Sequence, residues 1–125
     1  MEKMKYIINS LIICCLISII SCNQDSNSDD ENIIAVSIKN SEIYEYQTGI
    51  SGDEEGVLIE KQASHFEISE IIRDSSTQWS AVYRYKPEQG YIGTDNVEIK
   101  TMQGSDGASP NTDIKIIKIE ITITE

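Results

Sequence analysis

Between Ile33 and Glu125 the chain carries seventeen isoleucines and a single leucine, Leu58. That imbalance constrains the fold more than any other feature. A β-branched side chain has a restricted χ1, packs well on a pleated sheet and crowds the preceding turn of a helix. An AT-rich genome also raises isoleucine, so placement has to agree with the count. It does. Trp79, Ala81, Tyr83 and Tyr85 share one parity while Ser80, Arg84 and Lys86 take the other, Val82 being the exception. Ile34, Val36 and Ile38 form a second period-two set, Phe66 and Ile68 a third, and Val97 and Ile99 alternate with Asn96, Glu98 and Lys100. No stretch offers an apolar helical stripe over eleven residues. Turn-forming residues at Gly49–Gly56, Arg73–Thr77, Pro87–Gly93 and Gly104–Thr112 separate the runs. The pattern predicts an all-β domain over residues 33–125, with about seven strands in two packed sheets. Its length suits one domain.

The last run changes phase. Ile114 and Ile116 share one parity, and Ile117, Ile119, Ile121 and Ile123 the other. A single buried face then requires one extra residue near Ile116–Ile117, which predicts a β-bulge or a crossing between sheets there.

Upstream, Lys3 and Lys5 precede an apolar run from about Ile7 to Ile20. A run of that length suits a signal-peptide core and falls short of the ~20 residues that span a bilayer. It ends in Ile19-Ile20-Ser21-Cys22, which looks like a lipobox: two aliphatics, a small residue that fits a peptidase cleft, and a thiol that becomes the attachment point for diacylglycerol. The other reading is an ordinary secretory signal that tolerates cysteine, as Cys14 and Cys15 do, but only Cys22 has the right residues before it and a polar stretch after it. The expected product is a lipoprotein anchored through Cys22 at the cell envelope, in an outer membrane and exposed at the surface. All three cysteines lie in residues 1–22, so the module downstream has no disulfide and no cysteine metal site.

Residues 22–32 supply the lipidated cysteine and a tether. Asn23 to Asn32 contains no aliphatic residue and carries Asp25, Asp29, Asp30 and Glu31, too little apolar surface to offset its ordering entropy. Ten flexible residues reach roughly 17 Å. The acidic run also resembles the surface-export signal of Bacteroidetes lipoproteins; a plain solvated spacer is the alternative. Loss of residues 1–21 leaves 8 basic and 20 acidic side chains, a formal charge of −12. A field of that sign repels nucleic acid and anionic head groups, so no nucleic-acid partner is expected.

From Tyr85 to Ile99 the sequence reads YKPEQGYIGTDNVEI. It resembles the C-terminal half of bacterial cadherin-like and immunoglobulin-like repeats, approximately Y-x-P-x-x-G-[FY]-x-G-x-D-x-[FV]-x-[YI], which continue into an Asp-Gly loop and a last strand. Asp106-Gly107 and Asp113–Thr124 occupy those places here. The resemblance covers Tyr85 to Thr124 and implies an immunoglobulin-like Greek-key β-sandwich. Pro87 presets a turn, Gly90 and Gly93 can take φ > 0 where the chain changes sheets, and Asp95 can accept hydrogen bonds from loop N–H groups. Such modules serve adhesion, spacing, or carbohydrate and protein binding, usually in tandem arrays; this chain carries one copy.

Chemistry-bearing clusters are sparse. His65 is the only histidine, which excludes an all-histidine zinc site, and no nucleophile context accompanies it. Asp53, Glu54 and Glu55 sit between Gly52 and Gly56; with Asp95 and Asp106 at other turns they are candidate oxygen ligands for Ca²⁺, the alternative being a solvated acidic loop. Among Tyr44, Tyr46, Trp79, Tyr83, Tyr85 and Tyr91, alternation assigns most to core or edge packing, and an exposed coplanar pair would be needed for a sugar platform. No catalytic residue and no cofactor other than that cation is assigned. The reading is a non-catalytic binding module, anchored to the membrane by lipid, with an unknown protein or glycan ligand. Its rival is a structural or accessory subunit of an envelope complex, for polysaccharide uptake or adhesion.

Lipidation gives the first test. Cys22→Ser yields an unprocessed or soluble protein, because stable anchoring takes two signals such as dual acylation. Continued cleavage before residue 22 together with membrane partitioning in that variant contradicts the lipobox.

Overall fold

The structure is a computed structural model that describes residues 32–125. The signal segment, Cys22 and the tether as far as Glu31 lie outside the described residues. Asn32, placed in the tether by composition, instead opens the first strand.

Seven strands form: β1 Asn32–Lys39, β2 Tyr44–Gln47, β3 Gly56–Lys61, β4 Phe66–Ile72, β5 Val82–Pro87, β6 Gly93–Gln103 and β7 Asp113–Thr124, with one 3-10 turn at Ser75–Thr77 between β4 and β5. They make two sheets, β1-β7-β6-β3 and β2-β5-β4. Every pairing is antiparallel except β1 with β7. Lettered A to G in chain order, the sheets read A-G-F-C and B-E-D, the immunoglobulin Greek key with its first strand on the sheet that carries the last. The all-β sandwich expected from alternation is the fold observed.

The core lies between the long β6–β7 hairpin and β5. Val97 and Ile99 on β6, and Ile117, Ile119, Ile121 and Ile123 on β7, face Tyr83 and Tyr85 on β5, all buried. Each buried isoleucine contributes about 1.5–3 kcal/mol relative to exposure. Both tyrosine hydroxyls need partners in that setting. Tyr83 Oη lies 2.8 Å from Ser69 Oγ on β4, and burial pushes its pKa up to about 12.

No bulge interrupts β7. Its register with β6 runs unbroken from Gln103↔Asp113 to Gly93↔Ile123. Ile114, 54% exposed, and Ile116 stay on the outer face, so the phase slip marks a change of face occupied rather than an inserted residue. The register shifts fall elsewhere, between Ile59 and Lys61 on β3 and between Phe66 and Ile68 on β4. Trp79 also departs from expectation: it precedes β5 and is 64% exposed, because the chain turns left-handed at Gln78 and Trp79 before the strand begins.

Gly90 and Gly93 take the positive φ expected of them, +78° and +148°. At Gly93 an added Cβ would meet Tyr91 Oη at 2.9 Å. Asp95, two residues on, is 1% exposed and organises this end of the sandwich. Its Oδ1 accepts from Ser64 N and Asn96 N at 2.8 and 2.9 Å, and its Oδ2 from His65 N at 2.8 Å. Tyr85 Oη lies 3.1 Å from Oδ2 and 2.9 Å from the His65 carbonyl. Burial works to raise the Asp95 carboxyl, and those hydrogen bonds outweigh it and hold it below the usual range. Tyr85 is pushed well above the ordinary tyrosine value, first by burial and then by the charge of Asp95.

Because the folded pKa of Asp95 is depressed, its contribution is present above the unfolded value of about 3.9 and is lost as pH falls through the lower folded one. Asp95→Asn leaves a buried N–H donor facing an amide, at a cost of about 1–3 kcal/mol near neutral pH. Melts across pH 2–7 show that cost shrinking below about pH 4. A constant difference at all pH values contradicts the charged, hydrogen-bonded assignment.

Candidate functional site

The antiparallel registers sort the connections into two ends. Asp95 and the links β1–β2, β3–β4 and β5–β6 lie at one end; β2–β3, β4–β5 and β6–β7 lie at the other. Eight residues of β6 separate Asp95 from Gln103, about 27 Å at the strand rise.

At the far end the three loops are bound together. Thr48 Oγ1 and Thr48 N donate to the Ala81 carbonyl at 2.7 and 3.3 Å, and Ala81 N donates to the Ile50 carbonyl at 2.8 Å, with Ile50 itself buried. Arg73, at the exit of β4, spreads its guanidinium over three backbone acceptors. Nε donates to Trp79 O at 2.9 Å, one terminal nitrogen to Glu55 O at 3.1 Å and the other to Gly52 O at 2.6 Å. A planar fork with five donors is suited to satisfying carbonyls from two loops at once. On the β6–β7 side Gln103 Nε2 donates to Glu55 Oε1 at 2.9 Å, and Glu54 lies against Gly107.

Trp79 belongs to this assembly through its backbone. Asp74 caps the Ser75–Thr77 turn, accepting from Ser76 N at 2.8 Å, and its carbonyl receives Trp79 N–H at 2.8 Å. Gln78 and Trp79 then adopt φ of 54° and 64°. Left-handed backbone costs an L-residue roughly 1–2 kcal/mol, and for a bulky side chain it is an outlier. Two such residues in succession, held by Asp74 and Arg73, turn the only tryptophan out of the core and into solvent. Strain of this kind persists where the surroundings over-determine it and clusters at functional sites.

The loops at this end are rich in carboxylates. Six Lys or Arg side chains form ion pairs on the strands: Lys61, Arg84, Lys86, Lys100, Lys115 and Lys118. Among the described residues, Asp53, Glu54, Glu55, Asp74 and Asp106 enter no such pair. Hydrogen bonds hold three of them below the usual carboxylate range. For Glu55 they come from Gly52 N, Gln103 and Ser51 N, for Asp74 from Ser76, and for Asp106 from Ala108 N and Ser109 N.

The five acids proposed as cation ligands are not brought together. Asp53, Glu54, Glu55 and Asp106 occupy adjoining loops at the Trp79 end, while Asp95 is buried at the opposite one and spends its oxygens on backbone N–H groups. Glu55 turns inward onto its own loop, and no group of three His, Cys, Asp or Glu side chains among the described residues has metal-binding geometry. His65 stacks on Tyr91, with centroids 4.1 Å apart, and its Nδ1 lies 3.8 Å from Glu88. A polar cleft of about 500 Å³, lined by Asn40, Glu67, Lys86 and Gln89 among others, opens at the same end as His65 and has no aromatic wall.

The sequence matches no protein-family model and no curated protein. Among solved structures, the chain is similar to part of an endo-fucoidan hydrolase of glycoside hydrolase family 107, at 16% identity and a TM-score of 0.46, over 75% of this chain and 13% of that one. It is also similar to a cysteine protease inhibitor from Entamoeba histolytica, at 12% identity and a TM-score of 0.43, over 74% of this chain and 94% of that one. Neither neighbour is a cadherin-like protein.

Arg73 gives the test of the loop assembly. Arg73→Met costs about 1–3 kcal/mol and speeds amide exchange at Glu55, Trp79 and Ala81, while amides of β6 and β7 stay protected. Unchanged exchange at those three amides contradicts the clamp.

Proposed function

We propose that this chain is a lipid-anchored lipoprotein of the cell envelope whose sandwich, of the cadherin-like kind, binds a protein or glycan partner without catalysing a reaction. Contact is made at the β2–β3, β4–β5 and β6–β7 end. The observation that carries the reading is Trp79: exposed, bulky, left-handed, and fixed by Arg73 and Asp74. An unpartnered indole held out of the core at a conformational cost has no account in stability. Its face suits stacking against a sugar ring or a cationic side chain, and the carboxylates on the same loops that enter no ion pair suit hydroxyl or ammonium donors. Loops at one end of a rigid sandwich carry recognition in variable immunoglobulin domains by the same division of labour.

Trp79 is the sole tryptophan, so its emission reports directly on this end. Titration with a panel of soluble oligosaccharides and of Lys/Arg-rich peptides yields a class of ligand that shifts the emission to the blue and protects it from acrylamide. Trp79→Gly loses that ligand, measured by calorimetry, while melting at or above the wild-type temperature, since glycine relieves left-handed strain of about 1 kcal/mol. A ligand bound equally well by Trp79→Gly contradicts the assignment.

A further inference from the structure

The two sheets have four outer edges, and three of them carry devices that discourage strand addition. β3 is broken by a register shift between Ile59 and Lys61 and presents Glu60 and Lys61. β4 has a shift between Phe66 and Ile68 and presents Glu67 and Glu70. β2 is four residues long and contains Glu45. Bulges, edge charges and short edge strands are the ordinary means by which proteins blunt a sheet edge.

β1 has none of these. It runs eight residues, NIIAVSIK, in unbroken register with β7, without proline and with one charge, at its last residue, Lys39. The hydrogen bonds fix which backbone groups face outward. Asn40 N donates to Thr124 O, whereas Lys39 N and O are bonded to Glu42, away from β7. Successive residues alternate, so the N–H and C=O of Ile33, Ala35 and Ser37 share the free side with Lys39. Glu42 caps Lys39; among the described residues nothing pairs with the other three. On the sandwich side, Ile34 and Val36 are only half-buried against the core.

We propose that the free edge of β1 pairs antiparallel with β1 of a second copy, about a two-fold axis at Ala35, joining two four-stranded sheets into one. In this register Ala35 faces Ala35 of the other copy, Ile33 faces Ser37, and Ile34 faces Val36. Every outward N–H and C=O of Ile33, Ala35 and Ser37 is then bonded, six hydrogen bonds in all. The half-buried Ile34 and Val36 are covered by each other across the seam. A small residue sits on the axis, where its own copy must be accommodated, and no like charges oppose, because Lys39 lies beyond the ladder. An isologous pairing of this kind closes on itself and uses up both edges, unlike open-ended strand addition. The self-complementarity of charge, size and hydrogen bonding commits the edge to a second copy rather than to a foreign strand.

The test is disulfide trapping in the full chain with Cys14, Cys15 and Cys22 replaced by serine, purified in mild detergent. Across a hydrogen-bonded antiparallel pair the Cα atoms lie about 5.5 Å apart, inside the disulfide range. Ala35→Cys therefore oxidises to a covalent dimer. Ile33→Cys and Ser37→Cys, each about 14 Å from its own copy, do not when made singly and do when co-produced. Glu70→Cys on the bulged β4 edge supplies the background level. The proposal is overturned if Ala35→Cys dimerises no more than Glu70→Cys, if the co-produced pair fails to cross-link, or if the thiol at position 35 is captured by a different protein.

Discussion

The packing of β6 and β7 against β5 is the constraint on which the remainder depends. Residues 32–125 contain no cysteine, so the sandwich has no covalent staple, and the two sheets share no ladder. What joins them is one apolar face: Val97, Ile99 and four isoleucines of β7 against Tyr83 and Tyr85. That face forces the tyrosine hydroxyls to find partners inside, which they do at Ser69, His65 and Asp95. The ladder registers within each sheet then fix which loops meet at which end.

The two ends are built on opposite principles. At one, Asp95 is drawn in and its charge is spent on holding the β3–β4 connection and Tyr85; the carboxylate is a structural bolt with no capacity left for a ligand. At the other, a cation performs the same task on carbonyls. Arg73 ties two loops by their backbone, while Asp53, Glu54, Asp74, Asp106 and the indole of Trp79 face solvent. Charge is consumed at the first end and displayed at the second.

Much of this was legible in the chain. Alternation located β1, β4, β5, β6 and β7 but not the short β2 or β3, the turn residues located the connections before β3, β5, β6 and β7, Gly90 and Gly93 took the conformations their positions required, and Asp95 accepted loop N–H groups as its place at the head of a strand suggested. Three features were not legible, each for a physical reason. Trp79 shares parity with Ala81, Tyr83 and Tyr85, and parity carries no information once two left-handed residues intervene before the strand. Ile114 and Ile116 were assigned to the core, yet apolar side chains also occupy outer faces. The clamp role of Arg73 was invisible because its partners are backbone carbonyls, which leave no residue-type signature; a lone arginine directly before an Asp-Ser-Ser-Thr cap was the available hint.

With its N–H and carbonyl both bonded, Trp79 offers its exposed indole as a presented contact and not as a floppy loop residue. Time-resolved anisotropy of Trp79, combined with acrylamide quenching, measures both properties on one chromophore. A presented indole gives emission fully accessible to quencher and an anisotropy that decays with overall tumbling, with little amplitude in fast local motion. A dominant sub-nanosecond component, or an indole shielded from acrylamide in the free protein, would contradict it.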